Sequence, residues 1–205
     1  MHISEGIVSA PVLATGFVAT ATVLGVALKK LDPEDVPKIA VITSVFFVAS
    51  LIKVPLGPTS IHLLMNGLAA VILGMNAFVA VFVGLVFQAI LFGHGGVTVL
   101  GVNAAMIGGG ALAAYLVWQT RHRFNIKSKE VVFGALSAAV AVMTSGVIMS
   151  LALYLSGEEF FANAVYVLWM HVPIMVIEGI VVGACAGFLK KVKPELLAGH
   201  VLATK

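Results

Sequence analysis

Met1 and His2 place three nitrogens within one short reach: the α-amine, the amide nitrogen of residue 2 and the His2 imidazole. One further imidazole, such as that of His62, would complete four nitrogens around one ion. All-nitrogen ligation in a near-plane suits Ni(II) or Cu(II), and imidazole suits cobalt as well. Glu5 has three readings: a direct ligand, an acceptor for an imidazole N–H, or a carboxylate favourable in the first turn of a helix. The arrangement requires that Met1 be retained, which the large residue after it predicts, since initiator removal needs a small second residue.

The rest of the chain must carry this terminus to its partner through lipid. Of 205 residues, 60% are hydrophobic and 10% charged, where a soluble domain carries about a quarter charged. The mean hydropathy is +1.11. No hydrophilic stretch is long enough for a separate domain, so residues 1–205 read as a single integral membrane metal-binding domain. The positive charges that raise the pI to 9.1 are scattered over short loops, which argues against nucleic acid. Cys185, the single cysteine, cannot form an intrachain disulfide. The N-terminus lacks the basic start of a cleaved signal peptide.

Seven apolar runs predict an all-α bundle of seven transmembrane helices: 11–28, 39–54, 60–73, 77–92, 102–118, 131–155 and 164–189. In lipid such runs must be helical, because every backbone polar group needs an internal partner. The third is short for a crossing of about 20 residues. Charge supports it. With the N-terminus outside and the C-terminus inside, 11 of the 12 Lys and Arg residues fall in the inner segments 29–38, 74–76, 119–130 and 190–205, leaving Lys53 outside. Dropping the third crossing would put 119–130 outside. The 1–10 segment then enters the bundle from outside.

This orientation sorts the six histidines. His122 and His200 lie inside among basic loops, as solvated surface residues. His2, His62, His94 and His171 lie toward the outer face. His62 is expected just inside the third helix, with Pro58 and Ser60 at its start and Asn66 one turn below. His94 sits in FGHGG, where glycines let backbone crowd close to something. His171 shares a helix face with Glu178. Ionisable residues in a bilayer face an interior site or a partner, so His171 and Glu178 are structural or pathway residues. A hydrogen-bonded strut between helices is the alternative for this pair and for His94. Gly179, Gly183 and Gly187 form a small-residue row for helix packing or contact with another membrane subunit; Gly109 with Ala113 and Gly134 with Ala138 repeat the pattern.

MHISEGIVS, VPLGPTSIHLLMNGL, QAILFGHGGVTVLGVN and HVPIMVIEG, in this order, resemble the signature stretches of the CbiM/NikM family over residues 1 to about 188. These are the substrate-binding membrane (S) components of energy-coupling factor importers for cobalt and nickel. The resemblance implies a seven-helix S component plugged from outside by its N-terminal segment. It implies metal ligation by the Met1 amine, the His2 backbone nitrogen and imidazole, and His62. Glu5, Ser60, Asn66 and His94 are expected around the metal without touching it. The partners implied are a transmembrane coupling (T) protein, two cytosolic ATPases and a small accessory membrane protein. Ni2+ or Co2+ is the transported substrate, no organic cofactor is expected, and the location implied is a prokaryotic cell membrane. No GxxxxGK[ST] phosphate-binding motif is present, so the ATPase is expected elsewhere. No fused accessory segment is seen, which leaves that protein separate.

Two other classes compete. An intramembrane metalloprotease would need HExxH, which is absent. A stand-alone channel or secondary carrier would show repeats and broken helices in both halves, and Pro173 alone supports it.

Overall fold

The computed structural model describes residues 2–56 and 59–199, with 53–56 and 59–61 as backbone only. It is mostly helical. The helices are α1 (Ala10–Lys29), α2 (Val36–Ala49), α3 (Asn66–Leu73), α4 (Ala77–Phe92), α5 (Leu100–Thr120), α6 (Lys129–Tyr154) and α7 (Phe161–Val192). Among the described residues, five segments are long and apolar enough to cross a membrane: Ala10–Lys29, Asn66–Phe92, Leu100–Arg123, Lys129–Tyr154 and Glu158–Val192. At the helical rise, α1 spans about 30 Å.

One element departs from the all-α expectation. Where the third helix was expected to begin at residue 60, the chain forms an antiparallel hairpin of β1 (Lys53–Leu56) and β2 (Thr59–His62), with Lys53 opposite His62. Helix starts only at Asn66. The inference from lipid to helix fails here because the backbone finds partners inside the protein. The ladder serves residues 53–56 and 59–62, and the Glu178 carboxylate serves the amides of Leu64 and Met65. His62 therefore stands at the end of a strand, and Asn66 is not a turn below it on one helix. Ser60 pairs with Pro55 in the ladder rather than capping a helix, and Pro58 lies outside the described residues.

All eight residues of α3 are buried, so this short helix is the centre of the bundle. At its far end Val71 O accepts from Ala198 N at 2.8 Å. The chain turns at Gly74–Asn76, where Asn76 Nδ2 donates to Asp35 Oδ2 at 3.1 Å. Then α4 runs back toward His94. The bundle thus has a histidine end and a charged end. At the latter Arg121 donates to Trp118 O and Ala198 O, and Lys190 pairs with Glu130 at 3.6 Å.

Helices α6 and α7 pack along their length. A Cβ on Gly183 would lie 2.9 Å from Val131 O, and one on Gly187 2.6 Å from Val131 Cγ2. Gly179 faces Ala135 O at 3.5 Å in the same sense. The small-residue row of α7 is therefore packed against α6 of the same chain.

Candidate metal centre

Residues 2–9 precede α1 as a loop fastened to the histidine end at four places. Ile3 N donates to Asn103 Oδ1 at 2.9 Å, and Asn103 Nδ2 returns a bond to Ile3 O at 3.0 Å. Glu5 N donates to Gly95 O at 3.1 Å. Glu5 Oε1 accepts from Thr98 N and Thr98 Oγ1, each at 2.9 Å. Ser9 N donates to Ser156 Oγ at 3.1 Å. Two glycines of FGHGG lie against this segment and its anchor: a Cβ on Gly96 would overlap the Glu5 side chain, and one on Gly95 would sit 2.6 Å from Asn103 Nδ2 and 3.4 Å from Ile3 O. Both glycines also have φ in the left-handed region, +76° and +113°.

The fastening buries the imidazole of His2 against two others. Its ring stacks on that of His62 at 5.0 Å and on that of His94 at 5.9 Å. Phe92 packs against His94 at 5.7 Å. Nδ1 of His62 lies 3.1 Å from Leu63 O. A carbonyl oxygen only accepts, so this contact places the proton on Nδ1 and leaves the Nε2 lone pair open. That Nε2 is buried and has no hydrogen-bond partner, and the same holds for both nitrogens of His2. Burial lowers the pKa of His2 to about 4, with His94 adding to the effect. This imidazole is therefore neutral near pH 7, the form that binds metal.

A fully buried carboxylate fixes the segment after His62. Glu178 on α7 accepts through Oε1 from Leu64 N and, at 3.0 Å, from Met65 N. Met65 has φ +51°, unusual for a residue with a side chain, and this grip holds it there. His171, on the same helix, bonds Val167 O at 2.8 Å and packs against Gly146. Glu178 and His171 are thus not bonded to each other.

The remaining expected residues have other tasks. Glu5 is exposed, clamps Thr98, and lies ahead of α1 rather than in its first turn, and its hydrogen bonds to Thr98 lower its pKa. Asn66 ties α3 to α5 and α6, donating to Ile107 O at 3.0 Å and Ser145 Oγ at 3.1 Å. His94 N donates to Gln88 O at 3.1 Å while its ring flanks His2. His122 is exposed at the charged end. Met1 and His200 lie outside the described residues. Among the described residues no group of three or more His, Cys, Asp or Glu side chains converges as a metal site. A four-nitrogen set then needs main-chain nitrogen from the terminus.

Sequence reasoning missed Gln88 and Asn103. Both were visible as amides in otherwise apolar runs, AFVAVFVGLVFQAILF and LGVNAAMIGGG, where a polar residue marks an interior task.

A family model described as cobalt uptake substrate-specific transmembrane region matches residues 2–196. A putative metal transport protein of Haemophilus influenzae is 33% identical over 96% of this chain and 97% of its own length. A fused nickel transport protein, NikMN, of Rhodobacter capsulatus is 30% identical over 97% of this chain, which spans 64% of that longer protein. A crystal structure of a transition metal transporter superposes with a TM-score of 0.73 at 26% identity, over 94% of this chain and 93% of the other.

Proposed function

The chain belongs to the CbiM family of cobalt and nickel transport proteins, and from that premise we propose that it captures Ni2+ or Co2+ at the outer face of a prokaryotic cell membrane. It delivers the ion inward as the substrate-specific subunit of an ATP-driven energy-coupling factor importer. The ligands are the Met1 amine, the His2 amide nitrogen and imidazole, and Nε2 of His62. The ion is cargo, held by the closed terminal segment and released when that segment loosens. Energy comes from outside the chain, through a transmembrane coupling protein and two cytosolic ATPases, with a small accessory membrane protein as a further partner.

The observation that carries this reading is the open Nε2 of His62, buried beside a His2 ring whose two nitrogens are also unpartnered. Buried polar atoms without protein partners are rare in folded proteins, and binding an ion there would satisfy them. The charge pattern supports an outer histidine end, since the basic segments gather at the opposite end. In this reading residues 60–73 make the third of seven crossings, entered by the end of β2 and completed by α3. The 1–10 segment is the plug.

The test is a free terminus against a blocked one. Protein with an authentic Met1 should bind one nickel or cobalt ion tightly. One extra residue before Met1 should abolish that binding while folding and insertion persist, and a tag after Lys205 should be harmless. Unchanged nickel binding by the extended protein would contradict the proposal.

A further inference from the structure

Gln88 lies fully buried on α4, in the only stretch of that helix where an amide interrupts the apolar run. Its main-chain carbonyl accepts from His94 N at 3.1 Å, and its side-chain amide faces the His2 imidazole. Yet neither Oε1 nor Nε2 of Gln88 completes a hydrogen bond by geometry, and neither does either nitrogen of His2. Two buried polar groups thus confront each other unsatisfied, an arrangement that carries a desolvation cost in both.

The cost has a purpose once an ion is bound. An imidazole that binds metal through one nitrogen carries N–H on the other, and that N–H needs an acceptor to fix the tautomer and the ring. His62 has its own, Leu63 O. His2 has no such bond, and the neighbouring acceptors are engaged: Glu5 holds Thr98, and Asn103 Oδ1 holds Ile3 N. The His94 ring stacks beside His2 at 5.9 Å, and no hydrogen bond joins it to either His2 nitrogen. Gln88 Oε1 remains.

Resting on the metal-capture reading above, we infer that Gln88 is a positioning residue of the ion site, its Oε1 accepting the His2 N–H that the ion leaves free. The acceptor is a neutral amide, where a carboxylate in that place would make the imidazole more basic and hold the ion harder. A cargo site gains from the weaker partner, because the ion must leave again. Gln88 also joins two parts of the site, gripping the backbone of His94 with its carbonyl while its side chain orients His2.

The experiment titrates nickel into wild-type protein, Gln88→Met and Gln88→Glu, all with an authentic Met1, and records affinity and the visible spectrum of the nickel complex. Gln88→Met keeps the volume and removes the acceptor; it should lose about 10- to 100-fold in affinity and alter the nickel absorption bands, with unchanged thermal stability of the metal-free protein. Gln88→Glu should bind at least as tightly as wild type and release nickel more slowly to a chelator. Wild-type affinity and bands in Gln88→Met would overturn the inference. So would equal losses in both variants with wild-type bands, which would mark Gln88 as packing alone. Failure of the wild-type protein to bind nickel would instead strike the metal-capture reading itself.

Discussion

At the charged end of the bundle, Arg121 is buried yet fully engaged. It donates to Trp118 O at 2.9 Å and to Ala198 O at 2.8 Å, and its guanidinium lies 4.0 Å over the Trp118 ring. Trp118 Nε1 joins the same carbonyl at 2.9 Å, and Asn76 and Asp35 bond each other beside it. At the histidine end the fastenings of the backbone are just as complete, through Asn103, Thr98 and Glu178. There, however, the side chains so positioned, His2, His62 and Gln88, keep buried nitrogen or oxygen atoms without partners. In the proposed reading the difference separates polar groups that hold the fold together from polar groups that meet the ion.

The sharpest way to break the comparison is at His62. His62→Ala should reduce nickel affinity at least 100-fold by calorimetry, because it removes a proposed ligand, while exposed His122→Ala should leave it unchanged. Similar affinities in the two variants would erase the distinction between the ends.

Glu178 comes next, since it fastens the site without belonging to it. Glu178→Leu leaves the amides of Leu64 and Met65 unpaired, at a cost of about 1–3 kcal/mol each. The thermal midpoint should fall and nickel affinity should fall with it, because His62 loses its support. Glu178→Gln, which keeps one acceptor oxygen, should recover most of both. At the charged end the two effects should part company: Arg121→Met should cost about 1–3 kcal/mol of stability and leave nickel affinity within twofold. A large affinity loss in Arg121→Met would mean the two ends are coupled.

The buried imidazoles set the pH response. His2 is neutral in the fold down to about pH 4, whereas the unfolded chain takes up a proton near its ordinary pKa of about 6.5. A folded-state pKa below the unfolded one means stability is lost as pH falls through that ordinary value. Metal-free protein should therefore become less stable between about pH 6.5 and 4, and His2→Ala should flatten that slope. Nickel affinity should also fall with pH. At pH 7 the protons released on binding should come from the amine and the amide and not from the His2 imidazole, already neutral, which calorimetry in buffers of different ionisation heat would count. Among the residues around the terminal segment, a small effect is expected at Glu5. Glu5→Gln keeps an oxygen for Thr98 and should change nickel affinity no more than a few-fold; a loss as large as that of His62→Ala would make the carboxylate a ligand.

The seven apolar runs each gave a helix because a long hydrophobic run has few other ways to satisfy its backbone. The start of the third escaped that logic. Nothing local in TSIHLLMNG announces a strand, and the residue that makes the extended path viable, Glu178, lies more than 100 positions away. The same distance hid the division of labour among the polar residues. Glu5 looked like a partner for an imidazole because it stands three residues from His2, but its bonds run to Thr98. Gln88 stood unnoticed inside an apolar helix, because helix periodicity does not reveal which remote side chain an amide will face. His2 and His62 were legible as a candidate pair from the chemistry of a free terminus beside an imidazole, and the structure brings their rings to 5.0 Å.

The central claim is that His2 and His62 meet main-chain nitrogen of the terminus in one four-nitrogen plane. The visible spectrum of the nickel complex, recorded beside a competition titration with zinc, tests it most directly. A strong planar nitrogen field favours low-spin nickel and gives zinc, which prefers a tetrahedron, no advantage. The account predicts a yellow, diamagnetic nickel complex and weak zinc binding. A paramagnetic, octahedral nickel spectrum, or zinc bound as tightly as nickel, would contradict it and bring an oxygen ligand into the site in place of the backbone amide.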